Sequence, residues 1–73
     1  MVEYHLTLLA IDFLKLMITL YELQDVDYNT FYECCILKIQ FLDDVILNIP
    51  SAKKREEARL IIDKCKAVIN ISV

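Results

Sequence analysis

Three long stretches of this chain carry apolar residues at helical spacing, separated by two short polar breaks. Over residues 4–24, His5, Asp12, Lys15, Thr19 and Glu22 fall in one arc at about 100° per residue, with Leu8 intruding. Almost all the remaining circumference is apolar: Leu6, Leu9, Ala10, Ile11, Phe13, Leu14, Leu16, Met17, Ile18, Leu20 and Tyr21. A surface helix ordinarily keeps a much wider polar face. The second stretch, about 30–48, has a polar stripe of Glu33, Gln40, Asp44 and Asn48, interrupted by Leu37. Phe31, Cys34, Cys35, Ile36, Ile39, Phe41, Leu42, Val45 and Ile46 cover most of the rest. The third, about 52–70, is conventionally amphipathic, with Ala58, Ile61, Ile62, Cys65, Val68 and Ile69 on one face.

The breaks support the same division. Asp25-Val-Asp-Tyr-Asn is rich in residues whose short polar side chains bond locally to the backbone. Thr30 and Glu33 match a capping box, in which hydroxyl and carboxylate satisfy orphan amides, and Asp27 is a rival cap. Pro50 disfavours helical geometry at Ile49, and Ser51 is a good N-cap for the third helix. Matched helices with short connections pack antiparallel. The expected architecture is all-α: an antiparallel helical hairpin plus a third helix, a three-helix bundle formed by residues 1–73 as a single domain. The final residues, 71–73, are expected to fray.

Length and composition then change the picture. At 73 residues the core is marginal on its own, yet 58% of the chain is apolar, against about 45–50% ordinarily. The third helix has one apolar stripe to bury and the first two have nearly two each. A monomer would expose that surplus as a contiguous patch, which soluble monomers avoid. The expectation is a homodimer, the commonest oligomer, with a seam on helices 1 and 2 drawn from Phe13, Met17, Phe31, Lys38, Leu42 and Val45. Lys38 breaks its local pattern, pointing among apolar neighbours. It either snorkels to water or acts as a specificity device paired with a carboxylate across the seam.

Residues 1–23 are apolar enough to suggest a leader or a membrane span. Glu3, His5, Asp12 and Lys15 interrupt them, and no small-residue cleavage pattern follows. The reading is a cytoplasmic protein with no membrane span. Its three cysteines, Cys34, Cys35 and Cys65, are expected to be reduced and buried.

Candidate chemistry is sparse. With no glycine there is no phosphate-binding loop. One histidine and two serines leave little for nucleophilic catalysis. No zinc-ligand spacing surrounds His5, so no metal or cofactor is expected. Asp43 and Asp44 diverge on a helix and read as a solvated or ion-paired face. Charge is uneven: the third helix is net +3 and the remainder net −6. Arg55, Arg59 and Lys66 fall in a narrow arc flanking its apolar face, and form the candidate partner-binding stripe. The best functional class is a small non-enzymatic regulator or adaptor, bacterial or viral, that binds protein through a helical dimer. The alternative is a nucleic-acid-binding dimer that uses the basic third helix.

Gln40, Leu42 and Asp43 fall where the small sporulation-phosphatase family has Gln, Leu and Asp of its S-Q-E-L-D motif. The first two helices resemble that family's hairpin, with departures at Ile39 and Phe41 and an added third helix. In general form the hairpin also resembles the plasmid repressor-of-primer dimer, without that family's basic and aromatic RNA face on the first helix. No family is assigned on either resemblance.

Overall fold

The structure is a computed structural model that describes residues 2–69, with side chains from Tyr4 onward. Its elements are α1 (Val2–Glu22), α2 (Tyr28–Val45), a single 3₁₀ turn (Ile46–Asn48) and α3 (Ala52–Ile69). No strand occurs among the described residues. The fold is all-α, as the periodicity predicts.

Helix ends explain where the expected boundaries shift. Gln24 takes a left-handed backbone, φ 64°. The Gln24 amide donates to the Tyr21 carbonyl (3.0 Å) and the Asp25 amide to the Leu20 carbonyl (2.9 Å). This pair of bonds is the Schellman ending, which usually places glycine at the left-handed position. A chain without glycine uses glutamine there, at a steric cost of roughly 1–2 kcal/mol. The helix therefore ends at Glu22 instead of Gln24.

The second boundary is a correction. Asp27, not Thr30, caps α2: its carboxylate accepts from the Thr30 amide at 2.8 Å. That bond to the amide holds the Asp27 carboxyl below its usual range. The Thr30–Glu33 capping box does not form, because Thr30 already lies inside the helix. At the far end, Ile46–Asn48 tighten into the 3₁₀ turn before Ile49-Pro50. Ser51 caps α3 as expected, its hydroxyl accepting from the Lys54 amide at 3.2 Å. Residues 70–73, among them the three expected to fray, lie outside the described residues.

Helix α1 packs against both α2 and α3. Ile11 and Leu14 of α1 meet Phe31, Cys35 and Leu42 of α2 and Ala58, Ile62 and Cys65 of α3 in one buried cluster. The Tyr21 and Phe31 rings lie 4.9 Å apart where the hairpin turns. Each large aliphatic or aromatic side chain fully buried contributes about 1.5–3 kcal/mol. The Tyr28 hydroxyl donates to the Ile69 carbonyl at 3.0 Å, tying the start of α2 to the end of α3. Among the described residues, no buried side-chain nitrogen or oxygen lacks a hydrogen-bond partner.

Candidate functional site: an open apolar face on the hairpin

Helix α1 carries two seams. Thr7, Ile11, Leu14, Ile18 and Tyr21 recur at alternating steps of four and three residues and turn toward α2 and α3. Leu6, Leu9, Phe13, Leu16, Leu20 and Leu23 recur at steps of three and four along another side. That second spacing is the a/d repeat by which a helix accepts another helix. Yet Leu6, Leu9 and Leu16 are between 51% and 63% exposed, and Leu23 is exposed as well.

Helix α2 continues this face with Leu37, 69% exposed, and half-buried Phe41. Together the two helices line an open groove of about 500 Å³ walled by Leu6, Leu9, Ala10, Phe13, Leu37, Lys38 and Phe41. Lys38 is the one charged residue in its wall. Its ammonium lies 5.4 Å from the Phe13 ring centroid, a cation–π contact worth about 0.5–1 kcal/mol at an exposed site. Lys38 has no carboxylate within ion-pair distance among the described residues.

The residues expected at a dimer seam divide in two. Phe13 and Lys38 lie on the open groove. Met17, Phe31 and Leu42 do not: each is at most 5% exposed and belongs to the chain's own core. Their apolar direction is satisfied by neighbouring helices, so they offer nothing to a second copy. Val45 is half-buried against the same core. Leu6, Leu9, Leu16 and Leu37, absent from that expected set, are the exposed leucines on this side of the hairpin. The signal for the α1 residues was the regular 3-4-3-4 spacing inside a surface that is apolar nearly all round.

The basic stripe of α3 also divides. The Arg55 guanidinium donates to the carbonyl of Ile49, and at 3.5 Å to that of Pro50. It thereby fastens the turn between α2 and α3. Lys66 pairs with Asp43 of α2 at 3.0 Å. Only Arg59 of the three is exposed with no ion pair or hydrogen bond among the described residues. On the α1 side, Glu57 binds both Lys15 and, at 2.9 Å, Lys54. Hydrogen bonds from these two ammonium groups hold its carboxyl down at about 2.

The cysteines depart from expectation at one position. Cys35 and Cys65 are fully buried and reduced, but Cys34 is exposed. Burial pushes the Cys35 thiol up to about 12 and the Cys65 thiol up to about 11. Neither is a nucleophile near neutral pH, because the thiolate is the reactive form. No group of three or more His, Cys, Asp or Glu is placed to hold a metal among the described residues. A wider, more polar cleft runs between the α1–α2 turn and the end of α3, lined by Tyr21, Glu22, Asp25, Asp27, Tyr28 and Lys64 among others.

Helix α1 is long and apolar enough to cross a membrane by length and composition. A helix packed inside a bundle meets the same criterion, and here one face of α1 lies against α2 and α3 while Lys15 pairs with Glu57. Comparison with protein-family models, curated proteins and solved structures finds no match to this chain.

Proposed function

We propose that this chain is a small non-enzymatic regulator or adaptor that works by binding protein through a helical homodimer. The observation that carries this reading is the second a/d seam of α1, regular in spacing and exposed at Leu6, Leu9, Leu16 and Leu23 in the folded chain. The stretch from Leu6 to Leu23 spans about 25 Å, and two helices side by side are about 20 Å across. The flat footprint is on the order of 500 Å² per copy, so two such faces reach the roughly 1,000 Å² that a specific interface needs. Closed two-fold pairing covers the face with one self-complementary contact.

The stripe on α3 supports less than its sequence suggests. Arg55 and Lys66 are engaged within the chain, and Arg59 shares the open side of α3 with Glu56 and Asp63. This mixture of charges also weakens the nucleic-acid alternative, which needs an unbroken run of cations along a phosphate backbone.

Light scattering during size exclusion tests the reading. The expected result is a discrete dimer at micromolar concentration. A monodisperse monomer overturns it. Titration with oligonucleotides at low salt is expected to show no binding. Tight association that weakens steeply with salt would favour the alternative.

A further inference from the structure

Cys35 and Cys65 are fully buried, one on α2 and the other on α3, and take no part in the open face. We propose that these two thiols form a latent disulfide site, which oxidation by a small-molecule disulfide closes into a covalent clamp between α2 and α3 of one chain. Both cysteines belong to the same copy, so the inference stands apart from the dimer reading.

Three observations place the pair. First, contacts on either side fix where α3 meets α2. The Tyr28 hydroxyl donates to the Ile69 carbonyl at 3.0 Å, and Lys66 pairs with Asp43 at 3.0 Å. Tyr28 and Asp43 stand about 22 Å apart along α2, yet Lys66 and Ile69 share a single turn of α3. The end of α3 therefore lies across α2 between those two residues and does not run alongside it. Cys35 is midway between Tyr28 and Asp43, and Cys65 adjoins Lys66, so both stand at the crossing. Second, both turn inward there, in the core cluster that also holds Phe31, Leu42 and Ala58. Third, the Cys35 thiol donates a hydrogen bond to the Cys65 sulfur, so the two sulfurs are already neighbours. The backbones allow the bond. Packed helix axes lie about 8–10 Å apart, which leaves facing Cα atoms roughly 3.5–5.5 Å apart at a Cα radius of about 2.3 Å. A disulfide spans about 4.4–6.8 Å between Cα atoms.

The chemistry is two successive exchanges. When the helices part locally, the Cys65 thiolate attacks one sulfur of R–S–S–R, expels R–S⁻ and is left as a mixed disulfide. The Cys35 thiolate then attacks the Cys65 sulfur, forms the Cys35–Cys65 bond and expels the second R–S⁻. The two protons shed by the cysteines end on the two leaving thiolates, so the cysteines are oxidised and the reagent is reduced to two R–SH. Burial holds both thiols protonated at neutral pH, so exchange waits on opening, and the site responds to opening and oxidant together. Once made, the bond closes a loop of about 30 residues and lowers the entropy of the unfolded chain.

Equilibration in buffers of reduced and oxidised glutathione tests the proposal on Cys34→Ser, which leaves only the two buried thiols. Cys34 is exposed, so circular dichroism is expected to match wild type; should the variant not fold, peptide mapping of oxidised wild type gives the same readout. The ratio of cross-linked to dithiol chain is measured by intact mass and non-reducing peptide mapping, in native buffer and in urea. A fold that holds the sulfurs together favours the bond more than the unfolded chain does. The native ratio is therefore expected to exceed the urea ratio at least tenfold at the same glutathione poise. The oxidised chain is expected to melt on the order of 10 °C above the reduced one, and dithiothreitol to reverse the shift. A native ratio less than tenfold above that in urea overturns the proposal, as do glutathione adducts or bonds between chains in place of the Cys35–Cys65 link. A cross-linked chain that melts no higher than the reduced one overturns the clamp.

Discussion

The two seams of α1 are built from similar residues and meet different fates. Thr7, Ile11, Leu14, Ile18 and Tyr21 are covered by the helices that follow them in the chain, while Leu6, Leu9 and Phe13 line an open groove and Leu16 and Leu23 are exposed. Neither composition nor local helix propensity separates the two sets. What separates them is geometry: two neighbouring helices cover about half the circumference of a third, and α1 is apolar over much more than half. The covered seam holds the fold of one copy. Phe13 and Leu20 of the open seam pack in part against the core, whereas Leu6, Leu9, Leu16 and Leu23 stay exposed in the single chain.

The sharpest way to break this comparison is to truncate one leucine on each seam. Leu14 is fully buried. Leu14→Ala is expected to cost about 2–5 kcal/mol, lost transfer free energy plus the cavity left behind, and in so small a domain this leaves the chain largely unfolded. Leu9→Ala, at an exposed position, is expected to change protomer stability by less than about 0.5 kcal/mol while loosening self-association. Urea denaturation at two protein concentrations separates the effects. Equal losses from the two substitutions would mean that the seams do not differ.

The cysteines repeat the contrast at smaller scale. Cys34 and Cys35 are neighbours in sequence, about 100° apart on α2, and one faces solvent while the other is sealed in the core. A maleimide or other thiol reagent is expected to modify Cys34 within minutes in the native protein, and Cys35 and Cys65 only as fast as the chain opens. Cys65→Ser is expected to cost about 1–3 kcal/mol more than Cys65→Ala, because a hydroxyl in that site needs a partner. Mass spectrometry of the labelled protein and thermal melts of the two variants provide the check.

The number, type and order of the helices were legible in the sequence, because a stripe that persists for five turns has one good explanation. So were the Ser51 cap and the shielding of Cys65, both of which depend on a single helix and its own end. The division of the apolar surface between inside and outside was not. A helical wheel gives the direction of Phe31 or Leu42 but not which neighbour stands in that direction. Both were therefore expected at a seam between copies and are found inside one copy. The capping residue was left open between Asp27 and Thr30 for a related reason. Asp27 and Thr30 are equally able caps, and the left-handed turn at Gln24 decides which one meets the helix start. Arg55 shows the same limit, since its partners are carbonyls placed by the Ile49-Pro50 turn and no pattern of side chains reports them.

Arg55 and Arg59 allow the comparison to be sharpened on α3. Arg55→Glu removes the donor to the Ile49 carbonyl and is expected to lower the melting temperature by several degrees. A loss of about 1 kcal/mol shifts a domain of this size by about 4–8 °C. Arg59→Glu is expected to leave it within a degree or two, because that side chain has no partner to lose among the described residues. If both reversals are silent, Arg55 is as free as Arg59 and its bonds to the Ile49-Pro50 turn do not hold the fold.

The smallest expected effect lies at the α1–α3 contact. Glu57 is held at about 2 by hydrogen bonds from Lys15 and Lys54, below the ordinary carboxyl value of 4.5. A carboxyl with a depressed folded value contributes stability that is fully present above its unfolded value and is lost as pH falls through the folded one. The contribution of Glu57 should therefore be constant above about pH 4.5 and decline between there and about pH 2. The side chains involved are partly exposed, so salt and solvent screen the pair, and the expected change in melting temperature is a few degrees at most. Asp27 is also held low by its bond to the Thr30 amide, and its loss overlaps the same pH range. Comparing wild type with Glu57→Gln at each pH cancels the Asp27 contribution, which both proteins share. The difference between the two melting curves should be present at pH 6, shrink below pH 4.5 and vanish near pH 2. A difference that stays constant down to pH 2 would mean that Glu57 acts by packing and not by its charge. The contact that closes α1 onto α3 would then owe nothing to the Lys15 pair.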